Sequence, residues 1–564
     1  MSRLNSEDRI LLSRREALKL SATAGVAATL ANTAHASDSI KTGVHQQEPG
    51  NCSTPRTAVA NTRYGKVRGY VDGDVLTFKG VPYGATTAGE NRWLPAKPPV
   101  PWNDEFPALT YGANCPQRLH DWTSQEQVFL QDWDDGWQSE DMLKLNIWTP
   151  SLSGSRPVMF YIHGGGFEFG SSYELPSHEG AQMARHHDVV QISVNHRLNA
   201  LGFLDVSEIG GPEYADSMNV GMTDLVAALK WVRDNVSNFG GDPNNVMIYG
   251  QSGGGGKVAT LMGMPSAAGL FHRASIQSGG GFAGSAEEAK ALTRQMVKDL
   301  GIAPNDIAAL QKLDWTSLMA AADVAYGKLP VRNDMPFRMP GPIRRFWMPI
   351  LDGHVINMSA FQDAAPEISN DVPMLIGSVS EEGNAMASRP TEEEWRANLV
   401  KAYGDEKGKA LADAMKKAHP EKSIRTLSYM CGGAGILNAV SIRNSVVHMA
   451  KLKHDLHAAP VYTYYFSWQS PMLEGAGAWH TAELAFCFDN TKRCEQGTGN
   501  TPEAQALAKK MATAWANFAR TGNPSQPGLA WEPTDPETNK TMVWDNECRM
   551  VNDPEGELRK IILT

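Results

Sequence analysis

The run Val246-Met-Ile-Tyr-Gly-Gln-Ser252-Gly-Gly-Gly-Gly-Lys-Val258 constrains this chain more than any other stretch. Its first four residues are apolar or aromatic and predict a buried strand. They lead into Gly250-Gln251-Ser252-Gly253-Gly254, a G-x-S-x-G pattern, after which small residues open a helix. Glycines flank the serine where a strand must turn sharply into a helix and leave no space for a Cβ. Such a turn exposes the serine hydroxyl. It also aims the next backbone N–H, at the positive end of the helix, at the same place. The pattern is short enough to recur by chance, so its weight rests on context.

That context is an alternation of strand-like and helical segments. Apolar runs occur at 157–162, 189–194, 246–249, 274–276, 373–376 and 461–466. Between the second and third, residues 221–237 carry Met222, Leu225, Val226, Leu229, Val232 and Val236 at helical spacing, one apolar face for packing on a sheet. Strand–helix–strand alternation predicts an α/β fold, a mainly parallel sheet with helices on both faces. Residues 59–564 show no second linker, repeat or low-complexity run and read as one domain. So large a domain requires long insertions, which are expected to wall a site.

Composition narrows the function. A hydrophobic content of 42% with 20% charged residues suits a globular protein. The net charge of −10, without a basic cluster, argues against a nucleic-acid partner. No run approaches the length of apolar sequence that spans a membrane. The glycine runs do not cradle nucleotides. Gly253-Gly-Gly-Gly-Lys257 has Gln251 where a P-loop needs its first glycine and Val258 where it needs Ser/Thr. Gly164-Gly-Gly-Phe-Glu-Phe169 fails G-x-G-x-x-G at its last position.

Further motifs carry chemistry. Phe160-Tyr-Ile-His163-Gly164-Gly165-Gly166-Phe167 follows a strand, and its glycines let backbone N–H groups face a ligand. Leu375-Ile-Gly377-Ser-Val-Ser-Glu381-Glu382-Gly383 offers two candidate acids after another strand. Gly477-Ala-Trp-His480-Thr-Ala-Glu offers a histidine, the side chain suited to act as a base near neutral pH. His419, His448, His454 and His457 sit among charged residues and read as solvated helix faces. Serine, then acid, then histidine is the chain order of α/β-hydrolase triads.

The termini and cysteines add expectations. Ser13-Arg14-Arg15-Glu16-Ala17-Leu18-Lys19, the apolar stretch 20–30 and Ala34-His35-Ala36 resemble a twin-arginine export signal, with cleavage expected after Ala36. Residues 1–36 are thus a signal peptide, residues 37–58 a polar linker, and the destination periplasmic or secreted. Six cysteines follow, at 52, 115, 431, 487, 494 and 548, too sparse for a disulfide scaffold and without zinc spacing. Export permits a disulfide, and the short spacing of Cys487 and Cys494 predicts one there.

These motifs together resemble the type-B carboxylesterase family, which includes the cholinesterases, from about Asn61 to the C-terminus. Phe78-Lys-Gly-Val-Pro-Tyr83 is similar to F-x-G-I-P-Y, and Ser139-Glu-Asp141-Met-Leu-Lys-Leu-Asn146 to S-E-D-C-L-x-L-N. Asn195-His-Arg197-Leu, Phe239-Gly-Gly-Asp-Pro243 and Ile276-Gln-Ser-Gly279 match three more. The resemblance implies an α/β-hydrolase fold with Ser252 as nucleophile, Glu382 as acid and His480 as base. Glu382 is preferred because the family's acid directly precedes the glycine, which leaves Glu381 as a solvated turn residue. Gly165, Gly166 and Gly253 are implied as oxyanion donors. Glu168 is implied to face the active-site gorge, favouring neutral or cationic esters. The substrate would be a small-molecule ester, with no cofactor and no metal. Amide or carbamate hydrolysis would use the same residues. A catalytically dead, cholinesterase-like binding module would lack a triad member, and this chain has all three. Four departures stand out: Met142 for cysteine, which leaves Cys115 without its family partner, His196 for tyrosine, Gly253 for alanine and Gln251 for glutamate.

Overall fold

The computed structural model of the protein describes residues 58–118, 125–281, 283–330, 347–382, 389–430, 439–473 and 476–563. The expected signal peptide, the linker as far as residue 57, Cys52 and Cys431 lie outside them. Eleven strands form the main sheet. They are β1 (Tyr70–Asp72), β2 (Val75–Pro82), β3 (Lys144–Thr149), β4 (Arg156–Ile162), β5 (Val190–Val194), β6 (Gly241–Gln251), β7 (Arg273–Gln277), β8 (Met374–Val379), β9 (Val461–Phe466), β10 (Lys540–Trp544) and β11 (Arg549–Asn552). Their order across the sheet is β11-β10-β9-β8-β7-β6-β4-β5-β3-β2-β1. The strands from β5 to β10 in that order run parallel. The edges are antiparallel.

The parallel strands are apolar on both faces because both faces are covered. Along β4, Val158, Phe160 and Ile162 enter one core while Met159 and Tyr161 enter another. In β6, Val246 and Ile248 face the first core, Met247 and Tyr249 the second. This alternation is the two-residue period of a strand sorting side chains to opposite faces. On the first face lie α1 (Val220–Asn235) and α2 (Gly253–Gly263). Helix α1 is the segment expected at 221–237. Met222, Leu225, Val226, Leu229 and Val232 are buried along it, and its end tightens into a short 3₁₀ turn, Val236–Phe239. Long insertions interrupt the alternation. One, between β7 and β8, contains α3 (Ala286–Leu300) and α4 (Trp315–Tyr326). Another, between β8 and β9, contains α5 (Glu392–Tyr403) and α6 (Asp405–Ala418), which close a small core around Trp395, Leu411 and Met415. On the second face lies α7 (Pro502–Thr521), with Leu507, Met511, Trp515 and Phe518 inward. All described residues belong to one compact unit, Gly50–Thr564. No helix among them is long and apolar enough to cross a membrane.

The strand order reverses at β4. The chain passes from β4 to β5 on one side, then places β6 on the other. In open α/β sheets a crevice forms beyond the carboxyl ends of the strands at such a reversal. Here it lies beyond β4 and β6, whose next residues are the glycine loop and Ser252.

Several sequence motifs knit this end of the sheet together. Asn146 accepts from the Gly80 N–H at 2.9 Å and donates to the hydroxyls of Ser172 and Ser193. The Tyr83 hydroxyl donates to the Asn195 carbonyl at 2.7 Å. Arg197 and Asp224 form a buried bidentate pair, at 2.8 and 2.7 Å, between the loop after β5 and α1. Removing one member of such a pair leaves an uncompensated buried charge and costs about 3–5 kcal/mol. Asp224→Ala is therefore expected to lower the urea-unfolding free energy by about 3–5 kcal/mol. Glu208→Ala, which breaks the exposed Arg294–Glu208 pair, should leave unfolding almost unchanged.

Candidate active site

Ser252 has φ 59° and ψ −124°, a conformation rarely adopted outside glycine. The strain is of order 1–3 kcal/mol and is held by the surroundings. The Ser252 N–H donates to the Gln277 carbonyl of β7 at 2.7 Å, and its carbonyl accepts the first helical bond from Gly256 at 3.0 Å. Glycine is required on either side. A Cβ on Gly250 would lie 2.6 Å from the Ile162 carbonyl oxygen, and one on Gly254 only 2.1 Å from it. A serine at a helix N-cap commonly caps the helix with its hydroxyl. Ser252 does not, so its hydroxyl is left for other chemistry.

The glycine loop after β4 lies directly against this turn. A Cβ on Gly164 would sit 3.4 Å from Ser252 Cβ, and one on Gly253 would sit 2.2 Å from the Gly166 carbonyl oxygen. Gly165 and Gly166 have φ of 76° and 63°, and the Gly165 carbonyl closes a turn with the N–H groups of Glu168 and Phe169. Among the described residues, no hydrogen bond engages the N–H of Gly165 or Gly166. The loop is braced from behind: the Asn199 N–H donates to the Phe167 carbonyl at 2.7 Å, and its side chain to the Glu168 carbonyl at 3.1 Å.

His480 lies on the loop that follows β9. Its Nδ1 is 2.5 Å from Glu382 Oε2, with Glu382 fully buried after β8. The other Glu382 oxygen accepts from the Val379 N–H at 3.1 Å. The side-chain nitrogen of Gln251 lies 3.3 Å from Nδ1 and 3.2 Å from Nε2 of the same ring. Nearly equal distances place it along the lone pair of neither nitrogen. Gln251 directly precedes Ser252, so the ring stands beside the serine turn. Among the described residues, no hydrogen bond joins the Ser252 hydroxyl to the ring. His419, His448, His454 and His457 lie apart from this group. His448 and His457 are exposed, His454 is half-buried, and His419 pairs with Glu555.

The expected place of Glu381 is corrected. It is not a solvated turn residue but is fully buried, and it accepts from Lys422 at 2.8 Å and from the Ala478 N–H at 2.7 Å. Its own N–H bonds the Ala478 carbonyl at 3.1 Å. Glu381 thus fastens the loop carrying His480 to the end of β8. The expected bridge between Cys487 and Cys494 is also corrected: both thiols are free and buried. Cys487 turns its sulfur to the side-chain nitrogen of Gln277 at 3.5 Å, whereas Cys494 directly precedes the short helix Glu495–Thr498 without bonding to it through its sulfur. Cys115 is free as well, and Leu198 donates its N–H to the sulfur at 3.2 Å. Glu168 is half-buried and accepts from the Trp347 N–H at 3.3 Å.

Glu483 and Lys257 are buried ionisable groups without a sequence-based assignment. Burial first, and then the charge of Glu382, push the Glu483 carboxyl up to about 8. Tyr464 and Gln277 face it. Its position three residues past His480 in an apolar stretch was a legible sign of burial. Lys257 was legible as the lone cation in a helix of small and apolar residues.

A strained serine after a central parallel strand, beside a glycine loop and a carboxylate-bonded histidine, belongs to the α/β-hydrolase fold. The Carboxylesterase family model matches residues 56–558. The chain is similar to the para-nitrobenzyl esterase of Bacillus subtilis (strain 168), 32% identical over 505 residues, covering 89% of this chain and 98% of that protein. It is 33% identical to the phenmedipham hydrolase of Pseudarthrobacter oxydans, covering 84% and 92% of the two chains. A solved esterase from Clostridium hathewayi, described as able to hydrolyze aliphatic aromatic polyesters, superposes with a TM-score of 0.76 at 32% identity, covering 91% and 99%. This chain belongs to the carboxylesterase family.

The raised Glu483 carboxyl makes a prediction about pH. A carboxyl that ionises at 4.5 when unfolded and at about 8 when folded keeps a proton in the folded state between those values. Its stabilising contribution is complete below 4.5 and is lost as pH rises through about 8. Glu483→Gln mimics the protonated form. The unfolding temperature of Glu483→Gln, relative to wild type, should therefore rise steadily from pH 5 to pH 8.

Proposed function

We propose that this chain is an exported serine hydrolase that cleaves small-molecule carboxylic esters through an acyl-enzyme. The observation that carries the reading is the His480 Nδ1–Glu382 Oε2 bond at 2.5 Å, formed beside the strained Ser252 turn. A histidine whose Nδ1–H is held by a carboxylate presents a basic Nε2 and has a partner for the imidazolium that follows. Ser252 Oγ attacks the ester carbonyl while Nε2 takes its proton. Contacts between such groups tighten when substrate binds. Charge developing on the carbonyl oxygen meets the N–H groups of Gly165, Gly166 and Gly253. His480 then protonates the departing alcohol, and water repeats the sequence on the acyl-enzyme. Export rests on the twin-arginine-like segment at 13–19 and the Ala34-His35-Ala36 site. Glu168 belongs to this reading as a residue that disfavours esters bearing a free carboxylate.

Ser252→Ala should abolish turnover of p-nitrophenyl esters, with a loss of about 10⁴-fold or more in kcat and no change in fold. An organophosphonate should label Ser252 alone, as read by peptide mass spectrometry. Substantial turnover by the alanine variant would overturn the assignment. The two adjacent glutamates should separate by readout. Glu382→Gln should lower kcat by roughly 10⁴-fold at nearly normal stability. Glu381→Gln breaks the Lys422 pair, so it should mainly lower the unfolding temperature. For Glu168, kcat/KM of matched neutral and carboxylate-bearing esters should favour the neutral one, and Glu168→Gln should narrow the gap.

A further inference from the structure

Lys257 is fully buried in α2, five residues past Ser252. Lysine is almost never fully buried unless paired. Helical side chains lean towards the N-terminus of their helix, and this one runs back under the serine turn. Its ammonium ends at two backbone carbonyls of the glycine loop, His163 at 3.0 Å and Gly164 at 3.3 Å. No carboxylate is hydrogen-bonded to it among the described residues. Glu174 is the anion whose charge acts on it most, but that carboxylate is engaged by the Ser171 N–H at 2.5 Å and by His178 at 3.6 Å.

The position is unfavourable for a cation in two ways. The N-terminal end of a helix is its positive end. Burial also draws the ammonium down to about 7. The Phe167 ring, 5.5 Å from the ammonium, offers a cation–π contact, but the titratable groups facing it relieve this little. Burial first, and then the lysine's own charge, hold the rings of His163 and His196, 4.8 Å apart between centroids and inclined at 38°, well below the usual histidine range. Burial pushes the Cys115 thiol up. A methionine would fill the same space without these penalties, so the charge calls for a reason.

The carbonyl of Gly164 and the N–H of Gly165 are the two ends of one peptide group. A donor on the oxygen draws electron density from the nitrogen and strengthens the N–H as a donor, since linked hydrogen bonds polarise one another. Lys257 supplies such a donor, and His163 Nδ1, 3.1 Å from the same oxygen, can supply a second. We propose that Lys257 is a positioning residue for oxyanion stabilisation, clamping and polarising the Gly164–Gly165 peptide so that Gly165 N–H binds developing negative charge more strongly. The inference rests on the reading of Ser252 and Gly165 given above.

The test compares wild type with Lys257→Met, which keeps shape without a donor, and Lys257→Gln, which keeps a neutral donor. Each is assayed for kcat/KM on a neutral p-nitrophenyl ester. Each is also titrated with a trifluoromethyl ketone, which forms a tetrahedral oxyanion on serine, and with the matching secondary alcohol, which forms none. Removing a whole oxyanion donor costs ~10²–10³ in rate, so weakening one should cost roughly 10–100-fold. Lys257→Met is expected to lose roughly that factor in kcat/KM and the same factor in affinity for the ketone. Affinity for the alcohol should stay within about twofold, and Lys257→Gln should fall between methionine and wild type. Equal losses for ketone and alcohol would mean that Lys257 only supports the fold, and would overturn the proposal. So would unchanged ketone affinity in whichever variant folds as wild type by circular dichroism. Ser252→Ala is measured alongside. If it retains turnover, the assignment of the site fails. If it is inactive while a folded Lys257 variant keeps full activity, only the role of Lys257 fails.

Discussion

Between the ends of β4 and β6 the backbones approach so closely that no Cβ fits. The Ile162 carbonyl meets both Gly250 and Gly254, and Gly253 backs onto Gly166. This contact joins the serine turn to the glycine loop and sets the direction of α2. Larger residues at 250, 253 or 254 would push the helix off the sheet. The site therefore depends on packing between two neighbouring parallel strands more than on any one catalytic side chain. The strain at Ser252 is sustained by the same packing, with the Ser252–Gln277 bond adding a third strand to the anchorage.

Around this contact the protein buries a large number of polar and ionisable groups. Each must be paired or neutral, because an isolated charge in the interior is too costly. Arg197 and Asp224 meet this requirement as a bidentate pair, and Glu381 does so with Lys422 and a backbone N–H. Glu483 does so by staying protonated. Lys257 instead meets two backbone carbonyls and the face of the Phe167 ring, and buried Lys453 likewise meets the carbonyls of Ser369 and Asn370. The carbonyls that hold Lys257 belong to the glycine loop that lies against the serine turn. In the proposed reaction the buried charge of Lys257 is thus coupled to the place where negative charge would develop.

The sequence motifs divide into those that do chemistry and those that hold it. Asn146, Tyr83, Asn195 and Asn199 contact no reacting group. They tie the strand ends together and brace the glycine loop from behind. Their spacing was visible in the chain, but their purpose was not. It depends on partners more than twenty residues away, and local periodicity carries no information about such partners.

What the sequence determined by itself was the alternation of strands and helices, the serine turn, the glycine loop and the histidine. All four are written in short local patterns: a period of two or of about three and a half, and glycines where backbones crowd. Among the strands it left unread, β1 and β11 are edge strands only partly buried, whereas β2, β3 and β10 are largely buried but carry polar residues that interrupt an apolar run. Local pattern left Glu381 and Glu382 open, the family resemblance preferred Glu382, and in the fold it is Glu382 that reaches His480. Side chains at neighbouring positions point opposite ways, and only the path of the distant His480 loop selects between them. Tertiary structure decided that Cys487 and Cys494 stay unbridged, with the Cys487 sulfur turned to Gln277 of the sheet. The burial of Lys257 is of the same kind. A lysine in a helix can face water or the interior, and here the interior was chosen by carbonyls almost a hundred residues earlier in the chain.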